Sequence, residues 1–306
     1  MRGQICLLCA IAFGAACFDA HGATRSTFTF TSLDSKTEIP TTLIKPDGDG
    51  PFPAVVIVHD CSGLGPRSSG GPARWADALV AWGYVVVIPD SFTPRGFADG
   101  VCLIPGGARG DTGPYTRAHD AYAALAALRA LPYVDGRRIG LMGGSHGGST
   151  TLATMLAPAN ERDPLADAKR QGFAAAVALY PGCGARYGSW SVTRADRTGP
   201  VTGYSGVYRP LAPLLILIGD KDDWTPAEPC SRMVEAGRSA GLPLELVVYP
   251  GAYHGFDSNN PVRYDGRRNN PNSPSGRGAT TGGDPAAWAD AARRVRAFFE
   301  LHLKQQ

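Results

Sequence analysis

With 306 residues, 43% of them apolar and 19% charged, the chain is long enough to bury the core of one large domain and too short to add a propeller-sized partner. Its net charge is only +3, and its 25 arginines and 5 lysines are scattered instead of lying on one face. This excludes the basic stripe that a nucleic-acid partner requires and leaves a solvated surface.

Met1 to Gly22 has the layout of a secretory signal. Arg2 supplies the positive start, Ile5 to Cys17 a short apolar core, and Ala20-His21-Gly22 a small-x-small cleavage site before Ala23. That core falls short of the roughly 20 residues that span a bilayer. A lipoprotein anchor at Cys17 is the alternative to cleavage, although Gly14 stands where a large aliphatic residue is usual. The expected product is a single domain, 23–306, in the periplasm or secreted.

After the signal, Thr27 to Thr31 alternates with period two and Thr41 to Lys45 is a second extended piece, so the domain opens with an antiparallel pair. Pro53 to His59 and Tyr84 to Pro89 are continuous β-branched runs, the pattern of strands buried on both faces of a parallel sheet. Helical spacing over Ala73 to Trp82 separates them. The alternation continues with helix Tyr115 to Leu131, strand Arg138 to Met142, a helix after Ser145, and strands Phe173 to Tyr180 and Leu214 to Gly219. Helix Ala227 to Ala240, strand Leu244 to Tyr249 and helix Ala286 to Leu303 complete it. Repeated strand-helix units predict a doubly wound, mostly parallel α/β sheet, with sites outside the carboxyl ends of its strands. Two segments have no clear period. Gly184 to Pro210 carries Tyr187, Trp190, Tyr204 and Tyr208 and reads either as a lid or as a surface excursion with its aromatics packed down. Ser258 to Asp284, rich in Asn, Pro, Gly and Arg, reads as a mobile loop.

Cys6, Cys9 and Cys17 leave with the signal, and Cys61, Cys102, Cys183 and Cys230 remain. An even count in an exported protein favours two disulfides over four buried thiols, and the spacing does not suit zinc. Cys183 and Cys230 each lie a few residues from the end of a core strand, at one edge of the sheet. This favours Cys183 with Cys230, and so Cys61 with Cys102.

The stretch Gly143-Gly144-Ser145-His146-Gly147 lies between a strand and a helix, the context in which G-x-S-x-G forms a nucleophile elbow. A serine hydroxyl needs an imidazole to take its proton and a carboxylate to fix the imidazole tautomer, and here their chain order is nucleophile, acid, histidine. Only His254 and His302 follow a suitable acid. His302 is inside the final helix, whereas His254 is in the turn after a strand. The acid comes from Gly219 to Pro226, where Asp220 is expected to organise the turn, Asp223 to cap the next helix and Asp222 to serve as partner. The oxyanion donors are expected to be the backbone N–H groups of His146 and Cys61, with the His146 ring itself not required.

These residues resemble the dienelactone hydrolase family of α/β-hydrolases. The likeness runs through Val58 to Leu64, Pro89-Asp90, Val134 to Gly140, the elbow, the acid turn ending at Pro226, and Ala252 to Phe256. It implies an α/β-hydrolase fold, Ser145, Asp222 and His254 as the triad, Cys61 and His146 as oxyanion donors, and no cofactor. It also implies that Asp60 sits near the resting nucleophile. The family's namesakes use a cysteine where this chain has Ser145, and they bind a substrate carboxylate with arginine, for which Arg95 is near but offset. The function implied is hydrolysis of a small-molecule ester or lactone through an acyl-enzyme. A peptidase or amidase resembling the prolyl oligopeptidase catalytic domain is the second reading, and a non-catalytic binding protein on the same fold the third.

Overall fold

The computed structural model describes residues 22–34, 36–106, 109–158, 163–196 and 200–305. The expected signal, apart from Gly22, and the alternative anchor at Cys17 lie outside them. The first half of the chain forms β1 (Ala23–Thr31), β2 (Glu38–Pro46), β3 (Phe52–Val58), α1 (Gly71–Ala81), β4 (Val85–Pro89), α2 (Pro114–Arg129), β5 (Val134–Gly144) and α3 (His146–Met155). The second half forms α4 (Ala166–Arg170), β6 (Ala175–Leu179), β7 (Ser191–Arg194), β8 (Val201–Ser205), β9 (Leu214–Gly219), α5 (Ala227–Ser239), β10 (Leu244–Tyr249), β11 (Arg263–Asn269), β12 (Arg277–Thr281) and α6 (Pro285–Leu303).

Eight strands make one sheet in the order β1-β2-β4-β3-β5-β6-β9-β10. The strands from β4 to β10 in that order run parallel, and β1 and β2 are the antiparallel addition that the opening alternation predicts. The continuous apolar runs take the middle: every residue of β4, β6 and β9 is buried. Helices cover both faces, as such strands require. On one face Trp75 of α1 packs edge-on against Trp288 of α6, with ring centroids 4.6 Å apart. On the other the Tyr122 hydroxyl of α2 donates to the Thr154 carbonyl of α3 at 2.8 Å. From β3 the chain winds outward to β4, then returns to place β5 on the opposite side of β3. The carboxyl ends of β3 and β5 therefore flank a switch point, where open α/β sheets form their crevice.

Both segments without a sequence period are hairpins. β7 pairs with β8, and the aromatic side chains around them are packed down: Tyr187, Trp190 and Tyr208 are buried. Trp190 donates from Nε1 to the Cys183 carbonyl at 2.9 Å, and the Tyr208 hydroxyl donates to the Leu152 carbonyl at 2.9 Å. The expected loop at 258–284 instead contains β11 paired with β12. Long-range side-chain bonds hold it, and local sequence does not reveal these. Asp223 accepts from the N–H and hydroxyl of Thr280, each at 2.8 Å, and the Asn270 amide donates to the Asp223 carbonyl at 2.9 Å. No helix among the described residues is long and apolar enough to cross a membrane.

Candidate active site

Ser145 sits between β5 and α3 at φ 55°, ψ −116°, a conformation that L side chains rarely adopt. Its neighbours must be small for the turn to close. A Cβ on Gly147 would lie 2.0 Å from the Val58 carbonyl oxygen, and one on Gly143 would lie 2.6 Å from the Gly147 carbonyl carbon. The crowded turn lifts the Ser145 hydroxyl to the crevice, where His254 Nε2 is 2.8 Å from Oγ. On the other side of the ring His254 Nδ1 is 2.8 Å from Asp222 Oδ2. The three residues come from the ends of β5, β9 and β10, the order expected from the sequence.

Asp222 is held by three hydrogen bonds besides the one to His254. It is buried, yet Oδ1 accepts from the Trp224 and Thr225 N–H groups at 3.0 and 2.8 Å, and Oδ2 lies 2.9 Å from the Thr225 hydroxyl. With an acceptor on that side, the His254 proton belongs on Nδ1 and the Nε2 lone pair faces the serine. Asp220 organises its turn by accepting from the Gly251 N–H at 2.6 Å. Asp223 does not cap α5, as the sequence suggested. It is drawn away to Thr280, and Pro226 occupies the N-cap position.

His146 opens α3, so its N–H has no acceptor within the helix. The Cys61 N–H likewise finds no hydrogen-bond acceptor among the described residues. Both residues line the same cavity as Ser145, of about 820 Å³, within the range of roughly 300–1,000 Å³ typical of ligand sites. Cys61 is joined to Cys102, and Cys183 to Cys230. Cys61, Cys102 and Cys183 all face this cavity. Its charged lining residues among those described are Arg109, Arg186 and Arg194, with no carboxylate.

Arg95 is elsewhere. The turn Thr93–Arg95 carries its guanidinium back to Asp120, where Nη1 and Nη2 donate at 2.7 and 2.9 Å, and to Asp34 at 3.0 Å. It does not line the cavity, which corrects its expected place beside a substrate. Asp60 does not line it either. Its carboxylate accepts from the Ser62 N–H at 2.7 Å and from the hydroxyls of Ser62 and Ser69, beside a small hollow under Gly143 and Gly144. No cluster of three or more His, Cys, Asp or Glu side chains among the described residues could hold a metal ion.

Residues 39–303 match the family model described as the dienelactone hydrolase family. The chain belongs to the dienelactone hydrolase family. Solved structures with the same fold include a dienelactone hydrolase-like promiscuous phosphotriesterase from metagenomic libraries, at 19% identity and a TM-score of 0.61 over 92% of this chain and 98% of that one. Esterase 2 of Thermogutta terrifontis, phosphorylated by paraoxon, matches at 18% identity and 0.58 over 92% and 96%. Dipeptidyl peptidase 4 of Porphyromonas gingivalis matches at 20% identity and 0.58, over 91% of this chain but 35% of that one. Like other members of the dienelactone hydrolase family, the protein is a hydrolase with a mostly parallel sheet. Sequence reasoning did not single out Thr225, Tyr180, Asp257, Arg117 or the three cavity arginines. The one local signal for Arg117 was a charged pair, Arg117 and Asp120, on the Ala-rich helix.

Proposed function

We propose that the protein is an exported serine hydrolase that cleaves carboxylic esters or lactones through an acyl-enzyme. The observation that carries this is the unbroken relay from Ser145 Oγ through His254 to Asp222, with both links at 2.8 Å. In this reading Ser145 attacks the carbonyl carbon while its proton passes to His254 Nε2, and Asp222 steadies the imidazolium that forms. The Cys61 and His146 amides take the charge on the carbonyl oxygen. His254 then returns the proton to the leaving oxygen, and water, activated by the same imidazole, hydrolyses the Ser145 ester. Met1 to Gly22 serves as the export signal, in keeping with two disulfides.

Ser145→Ala is expected to lower turnover of p-nitrophenyl acetate by roughly 10⁴-fold or more and to abolish labelling by a fluorophosphonate probe. Undiminished labelling of the variant would refute the assignment. The likeness to a dipeptidyl peptidase keeps an amidase reading open to test, by comparing rates on matched ester and amide substrates. With Arg109, Arg186 and Arg194 as the cavity's only charged lining among the described residues, anionic acyl or alcohol groups are the favoured substrates. In a panel of matched esters, the anionic members should lead in kcat/KM. Arg186→Ala should cut that lead by about 5-fold while leaving neutral esters within about twofold. A panel with no charge preference would remove the arginines from the proposal.

A further inference from the structure

Arg117, on α2, is fully enclosed, and the mechanism above gives it no task. Its Nη1 is 2.7 Å from His146 Nδ1, and its Nη2 donates to the His59 carbonyl at 2.8 Å. The guanidinium lies 4.8 Å from the Phe92 ring centroid, and that ring meets the His59 and His146 imidazoles edge to face. Burial pushes the Arg117 pKa down to about 10, which still leaves the group charged at neutral pH. Burial, then the Arg117 charge, holds His146 well below the usual histidine range, and the same two causes act on His59. Both rings are therefore neutral, and His146 Nδ1 offers its lone pair to the guanidinium. Asp120, three residues on, is already taken by Arg95, and Arg117 Nε has no acceptor among the described residues. The Asp120 and Asp60 carboxylates favour the Arg117 charge without bonding to it, but with hydrogen bonds only to neutral acceptors and one N–H unmet it is still a costly group to bury, and an apolar side chain would fill the space more cheaply.

The two bonds made by Arg117 run to the two segments that carry the oxyanion amides. His146 is itself one donor residue, and His59 precedes the other, Cys61, by two positions. We propose that Arg117 is the positioning residue of the oxyanion hole, tying the loop after β3 to the first turn of α3 and so fixing the spacing of the Cys61 and His146 amides. It touches no substrate. The inference rests on the reading of Ser145 as nucleophile.

Fluorophosphonate labelling of the wild type is scored first, because it reports the nucleophile alone. An unlabelled wild type would end the Ser145 assignment and this proposal with it. For Arg117→Met, kcat on p-nitrophenyl acetate should fall about 10- to 100-fold, with KM within about twofold. Affinity for phenylboronic acid, which forms a tetrahedral adduct on a serine, should fall by a similar factor. Arg117→Lys keeps the charge but cannot span both acceptors, and should fall between wild type and Arg117→Met. A merely structural role would lower the melting temperature without the parallel loss of kcat and boronate affinity. A folded Arg117→Met with both within about twofold of wild type would overturn the proposal. Should that variant fail to fold, His146→Ala decides, because it keeps both amides and removes one of the two anchors. It should lose about 10-fold in kcat and in boronate affinity, and wild-type values for both would overturn the proposal.

Discussion

Two buried aspartates stand near His254 and meet different surroundings. Asp222 is bonded to the ring and accepts from two backbone N–H groups. Asp257, three residues after His254, accepts from Trp75 Nε1 and the Tyr180 hydroxyl, each at 2.7 Å, while the Tyr180 ring packs edge-on against His254 with centroids 4.7 Å apart. Burial raises the Asp257 pKa above 3.8, and these two hydrogen bonds only partly oppose it. The sign follows from proton counts. Between the unfolded value and the higher folded one, the native state holds a proton that the unfolded chain has released, so stability is lost as pH rises through that window. The stability of the wild type relative to Asp257→Asn should therefore be greatest near pH 4 and decline towards pH 7, read from urea midpoints at about three pH values. A difference that stays flat would mean that the carboxyl does not titrate there. The meeting of Ser145, His254 and Asp222 was legible in the sequence because each follows a strand in a fixed order. Asp257 and Arg95 were not, because their partners are distant in the chain: Trp75 is 182 positions from Asp257, and Asp34 is 61 from Arg95.

The elbow is the element in which sequence and shape agree most closely. Gly147 lies under the Val58 and His59 carbonyls, and backbone on that side cannot yield as a flexible side chain would. Gly147→Ala is expected to destabilise the protein by about 3 kcal/mol and to remove activity, measured by thermal melting and ester turnover. A fully active variant would mean that the turn is less tightly closed than described. The central strands were legible for the same reason as the elbow, since β-branched runs in a sheet covered on both faces have few alternatives. The two hairpins were not. Their short strands have little periodicity, and β11 and β12 are held from outside, by Asp223 and by Trp224, whose Nε1 donates to the Asn269 carbonyl at 2.8 Å. They line the cavity through Arg194 and Asn272, which are bonded to each other at 2.7 Å, so part of the cavity wall is built from the segments that sequence describes least well.

Across the whole molecule, the sheet order places β3 and β5 side by side, and two disulfides brace the chain around them, one at the loop after β3 and one between the segment after β6 and α5. Cys61–Cys102 closes 41 residues and Cys183–Cys230 closes 47, spans for which loop entropy suggests about 2–4 kcal/mol each. Reduction should lower the melting temperature by about 5–15 °C per bridge. Loss of Cys61–Cys102 should also cost turnover beyond the stability effect, because Cys61 lines the cavity with Ser145 and carries one of the two proposed oxyanion amides. The pairing was legible from which strand ends share an edge, whereas the position of the bridges in the cavity wall depended on loops with no pattern. A copy of residues 23–306 made in a reducing cytosol should therefore be a sluggish hydrolase that gains rate on exposure to oxidised glutathione, and full activity before oxidation would count against this. Maturation and potency then arrive together: the oxidation that closes the Cys61–Cys102 bridge also fixes the cavity wall beside Ser145.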